Sequence, residues 1–119
     1  MDGTIIVHIR KKWPFRQKQG FTFDMFMWCY MSSYTQLPLN QFGDLGDRFI
    51  DVMYYCSAYS YNRNIGKRAK FTEADVKKWF DDMPQKTANA IMNTMLKSKV
   101  GGESMEDLVQ SYKDSQKKK

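Results

Sequence analysis

The chain has 119 residues and a formal net charge of +6; 42% of its residues are aliphatic, aromatic or sulfur-bearing and 27% are charged. That length supports one core and not two, and that composition belongs to a globular chain and excludes an intrinsically disordered one. The mean hydropathy is −0.65, and the longest nearly uncharged stretch, 25–42, is broken by Ser32, Ser33, Thr35, Gln36, Pro38, Asn40 and Gln41, so no helix of about 20 apolar residues spans a membrane.

The N-terminus, with Asp2 and a short apolar run at 5–9, lacks the order of charge, apolar stretch and small residues that marks a signal peptide, so the expected compartment is the cytoplasm where the chain is made. From Thr4 to Arg10 the sequence alternates, with Ile5, Val7 and Ile9 on one side and Ile6, His8 and Arg10 on the other, which predicts a strand. Pro14 interrupts it and Gly20 punctuates before Phe21, so the strand turns back into an irregular hairpin over 4–22. Two strands are marginal alone and must pack on something.

At Phe23 the period changes from two to 3.6. Phe23, Phe26, Met27, Tyr30, Met31 and Tyr34 share one helical face, predicting a first helix over 24–34 with Asp24 in its first turn and Pro38 beyond its end. Leu45, Phe49, Val52, Met53, Cys56 and Tyr59 repeat the spacing, predicting a second helix over 45–60 with Asp44 as N-cap. Tyr54, Tyr55 and Tyr61 exceed one apolar stripe, so this helix is expected to bury a second face. Thr72 and Asp75 form a variant capping box ahead of Val76, Trp79, Phe80 and Met83, a short third helix over 73–83. Past Pro84, the residues Ala88, Ile91, Met92, Met95 and Leu96 predict a fourth helix over 85–98.

Residues 1–100 thus read as a single globular domain of α+β class, mainly α: a small N-terminal β-hairpin and a compact bundle of four to five short helices. Gly101-Gly102 reads as a hinge, and 101–119 as hinge, short helix through Met105, Leu108, Val109 and Tyr112, and basic tail. Six methionines, Met27, Met31, Met53, Met83, Met92 and Met95, fall on inward faces.

Catalytic chemistry finds little to work with. Cys29 and Cys56 both sit in apolar helical patterns and are expected as reduced, buried thiols. His8 is the sole histidine, which leaves too few ligands for a zinc site and no base for a nucleophile; no glycine-rich phosphate loop is present. The reading is a non-enzymatic protein without cofactor or metal. Charge is distributed in blocks: Arg10, Lys11, Lys12, Arg16 and Lys18 in the hairpin, Arg63, Lys67, Arg68 and Lys70 after the second helix, and the terminal lysines, against more acidic segments at 21–60 and 101–112. Trp13 and Phe15 interleave with the hairpin cations, the chemistry of a single-stranded nucleic acid binder. The alternative for this block is a solvated hairpin whose aromatics pack on the domain.

The order of elements resembles the tail assembly chaperones of long-tailed bacteriophages. The residues that carry the resemblance are Gly20-Phe21-Thr22-Phe23 leading to Phe26 and Tyr30; Tyr34-Thr35-Gln36-Leu37; Leu45 with Met53-Tyr54-Tyr55-Cys56-Ser57-Ala58; and Phe71-Thr72-Glu73-Ala74-Asp75-Val76 followed by Trp79, spanning about 4–97. The basic hairpin departs from the family pattern, as does Tyr34-Thr35-Gln36, where family members often place an acidic residue and a glycine. The resemblance implies a non-enzymatic protein that coats the tape measure protein during tail building, self-associates, hands over to tail tube subunits in the host cell cytoplasm, and is absent from the finished virion. It also implies a longer frameshifted product, and Lys117, Lys118 and Lys119 then overlie a slippery run of adenines, making this chain the short form.

A partner that keeps a long apolar helical chain soluble needs replaceable contacts, which tyrosine and methionine faces supply. The sequence nominates Tyr54, Tyr55, Tyr59 and Tyr61 on the second helix and Trp28 on the flank of the first as the protein-binding surface. The runner-up function is a small basic nucleic-acid-binding or virion structural protein using Arg10, Lys11, Lys12 and Arg16 with Arg63, Lys67, Arg68 and Lys70.

Overall fold

The computed structural model describes residues 3–12, 15–100 and 103–104, the side chains of 10–12, 15, 16, 39, 99, 100, 103 and 104 excepted. Strands β1 (Thr4–Lys12) and β2 (Phe15–Thr22) pair antiparallel, with Thr4 opposite Thr22, Ile5 opposite Phe21 and His8 opposite Lys18; the register shifts between Ile9 and Lys12. The alternation holds as expected: Ile9 is buried, Ile5 and Val7 pack against the core, and Ile6 and His8 face solvent.

Helix α1 (Met25–Thr35) starts where Asp24, its N-cap and not a first-turn residue, accepts from the Met27 amide at 2.9 Å. The same carboxylate accepts from Ser60 Oγ at 2.9 Å and so ties the start of α1 to helix α2 (Arg48–Asn64). A 3-10 helix at Leu39–Leu45, which the helical spacing does not predict, joins the two. It displaces the start of α2 from 45 to Arg48, so the N-cap position falls on Asp47 and not Asp44; Asp47 makes no side-chain cap bond. Helix α2 is the centre of the fold, burying Val52, Met53, Tyr54, Cys56, Ser57, Ala58, Ser60 and Asn62, and thus more than one face. It runs against β2, where Gln19, Gly20, Phe21 and Thr22 are all buried.

Helix α3 (Glu73–Asp81) opens on the expected capping box: the Asp75 amide donates to Thr72 Oγ1 at 3.2 Å and the Thr72 amide to Asp75 Oδ2 at 2.9 Å. Pro84 occupies the N-cap position of helix α4 (Gln85–Lys97), which packs on β1 through a face that includes buried Ile91 and Met95. Beyond it, β3 (Lys99–Val100) and β4 (Glu103–Ser104) pair antiparallel around Gly101-Gly102. The glycine pair and the expected fifth helix and basic tail lie outside the described residues. One core cluster runs from Ile9, Phe21 and Phe23 through Met27, Met31, Met53 and Cys56 to Trp79, Ile91 and Met95, with Met83 and Met92 packed at its edge. Among the described residues no helix is long and apolar enough to cross a membrane.

Candidate protein-binding surface

Helix α1 is apolar nearly all round, with Met25, Phe26, Met27, Trp28, Cys29, Tyr30 and Met31 in succession, so its spacing alone does not select the buried face. The structure selects Met27, Trp28 and Met31. Trp28 is therefore a core residue and not a surface candidate: it is 2% exposed, and its ring stacks on Phe42 of the 3-10 helix, centroids 6.1 Å apart. Cys29, expected to be buried, is turned out to solvent by the same rotation, while Cys56 is buried. Burial pushes the Cys56 thiol up to about 12.

With Trp28 turned inward, the aromatic edge of α1 is left at the surface. Phe26, Tyr30 and Tyr34, spaced by four, face Tyr55 and Tyr59 of α2 and form a half-buried ladder. Tyr30 and Tyr59 stack with centroids 4.0 Å apart and planes 3° from parallel; Phe26 lies 6.5 Å from Tyr59 and Tyr34 5.1 Å from Tyr55. Charge fixes both ends. At one end the Arg63 guanidinium sits 3.9 Å above the Phe26 ring, a cation–π contact. At the other, the Tyr34 hydroxyl donates to Glu73 Oε1 at 3.0 Å, and Arg48 grips the same carboxylate through Nη2 at 2.8 Å and Nε at 3.1 Å.

The electrostatics follow from those contacts. Burial, then the neighbouring Tyr55 hydroxyl, raises the Tyr30 phenol, and burial with the Glu73 bond raises Tyr34. The Arg48 hydrogen bonds lower the Glu73 carboxyl and raise the guanidinium in turn. Tyr30 and Tyr34 are thus neutral phenols at ordinary pH, able to present an apolar ring and a hydroxyl to one partner.

Of the nominated tyrosines, Tyr55 and Tyr59 belong to this ladder. Tyr54 does not: it is 6% exposed, its ring is stacked on Phe80 with centroids 4.0 Å apart, and burial pushes its phenol up to about 12. Tyr61 is half-buried with its ring laid over Gly20 of β2. Phe26, Tyr30 and Tyr34, which the periodicity assigns to the core stripe, are the rungs that sequence reasoning missed. The run of four-residue spacings at 26, 30 and 34 is the signal in the sequence, since it defines a second stripe beside 27 and 31. Tyr34 is 37% exposed.

The basic candidates separate. Arg63 belongs to the ladder, whereas Lys67, Arg68 and Lys70 line a cleft of about 930 Å³ between β2, the end of α2 and α3, with Lys78 joining them from α3. The side chains of Arg10, Lys11, Lys12 and Arg16 lie outside the described residues, as does Trp13. Among the described residues no group of three or more histidine, cysteine or acidic side chains is arranged to hold a metal. Comparison of the chain with family models, characterised proteins and solved structures finds no significant match to any of the three.

Proposed function

We propose that this protein is a non-enzymatic assembly chaperone that holds an apolar helical client against the α1–α2 ladder, in the manner of the phage tail chaperones its sequence resembles. The observation that carries the reading is the ladder itself: five aromatic rings on two neighbouring helices, half-exposed and fixed at both ends by charge. Rings already ordered lose little side-chain entropy on binding, and flat aromatic faces accept many helical sequences without a specific pocket. The client of this proposal is the tape measure protein, and tail tube subunits would replace the chaperone in the host cytoplasm. Exposed Ile6, Met25 and Ile65 would add apolar area for self-association.

Co-expression with a tape measure protein tests the proposal. The wild-type chain is expected to keep it soluble, and the Tyr34→Ser/Tyr55→Ser variant to lose that capacity while retaining a cooperative melt. Full solubilisation by the folded variant would refute the ladder as the client surface. Light scattering across a concentration series tests self-association, and a strict monomer at high concentration would remove that part of the proposal. A nucleic-acid-binding role, the runner-up from the sequence, would instead show as an affinity for single strands that falls steeply with added salt.

A further inference from the structure

The cleft beneath the 67–70 segment is distinct in chemistry from the aromatic ladder. Lys67, Arg68 and Lys70 reach it from the loop after α2 and Lys78 from α3. Among the described residues the ion pair within contact distance is Arg48 with Glu73, elsewhere on the surface, so none of these four cations has a carboxylate partner. The floor is polar and ordered: Asn62 accepts from Gln19 Nε2 at 3.1 Å and donates to the Arg68 carbonyl at 3.4 Å, which fixes the cationic loop to the helix. A volume of about 930 Å³ is at the upper end for small-molecule sites and exceeds what a single ion requires.

We propose that this cleft docks an acidic stretch of a partner polypeptide, with side-chain carboxylates meeting Lys67, Arg68, Lys70 and Lys78. Two observations favour a peptide over a nucleic acid strand. A single strand binds by stacking its bases on free aromatic faces, and the rings here are engaged: Phe71 lies edge-on to Trp79 at 5.0 Å and to Tyr55 at 6.0 Å, and Trp79 is 6% exposed. Asp75 and Asp82 also line the cleft and repel a continuous phosphate backbone. A peptide places carboxylates at intervals and offers backbone N–H donors to those aspartates between them. The inference is independent of the chaperone reading, since it uses a different surface.

Fluorescence anisotropy with a labelled glutamate-rich peptide of about a dozen residues, its glutamine counterpart and an oligothymidine of similar length tests it. The glutamate peptide is expected to bind, and the Lys67→Ala/Lys70→Ala variant to weaken it roughly 2- to 30-fold, the loss of two exposed ion pairs. Both lysines are exposed, so the fold is retained, which a melting curve verifies. Lys86→Ala, at an exposed lysine of α4 outside the cleft, should leave this binding unchanged. Equal binding of the glutamine peptide, unaltered affinity in the lysine variant, or no binding of the glutamate peptide would each overturn the proposal. Preference for oligothymidine with a steep salt dependence would overturn it in favour of nucleic acid.

Discussion

The seating of Tyr61 on Gly20 predicts a specific energetic coupling between hairpin and helix. Gly20 has ordinary backbone geometry, and a Cβ built on it would clash with Cγ, Cδ1 and Cε1 of the Tyr61 ring. In a strand interior, Gly→Ala by itself gains about 0.5–1 kcal/mol through the lower entropy of the unfolded chain. Here the methyl forces the ring off β2, and overpacking of this kind costs about 1–3 kcal/mol. Because Tyr61 is half-buried and can swing toward solvent at the expense of its packing, the net loss for Gly20→Ala is about 1–2 kcal/mol. Tyr61→Ala costs about 1–2 kcal/mol, less than the 3–5 of a fully buried aromatic. In the Tyr61→Ala background the obstacle is gone, and Gly20→Ala becomes neutral or slightly stabilising. The double-mutant cycle therefore carries a coupling of about 1–3 kcal/mol. Urea unfolding of the four proteins by circular dichroism measures it, and thermal melts should place Gly20→Ala about 4–12 °C below wild type for a chain of this size. Additive losses within experimental error would refute the argument and return Tyr61 to the free surface where the sequence places it.

Further outcomes follow from single sites. Gln36 closes α1 in the left-handed region at φ 61°, where a Cβ costs about 1 kcal/mol; both Gln36→Gly and Gln36→Ala lose the exposed Nε2 bond to the Ser33 carbonyl, but Gln36→Gly also removes the Cβ and should stabilise the chain by about 0.5–1 kcal/mol in urea, while Gln36→Ala, which keeps it, should not. Folding lowers the Glu73 carboxyl, so the stability it contributes is complete above the unfolded glutamate value of about 4.3 and is lost as pH falls through the lower folded value. Melting temperature should accordingly fall below about pH 4, and less steeply in Glu73→Gln; identical pH profiles would contradict the Arg48–Glu73–Tyr34 network. A thiol reagent should modify Cys29 rapidly and Cys56 only on unfolding, because Cys29 is exposed while Cys56 is buried with its thiol pushed up to about 12; peptide mapping of the labelled native protein distinguishes them.

Local chemistry determined much of this protein before any tertiary contact formed. The switch of period at Phe23 separates hairpin from helices because side chains alternate along a strand and recur every 3.6 residues along a helix. The Thr72–Asp75 capping box places the start of α3 because both of its bonds close within four residues. Tertiary packing decided what pattern leaves degenerate. A helix apolar on every side, as α1 is, has no preferred rotation until a neighbour supplies one. Phe42, between the two predicted helices, supplies it by stacking on Trp28, and so sends Phe26, Tyr30 and Tyr34 to the surface. The same holds for Tyr54, whose burial depends on Phe80 from α3, and for the cationic cleft, which brings the 67–70 loop to Lys78. These contacts join residues far apart in the chain, and spacing within one element carries no information about which partner fills the space beside it.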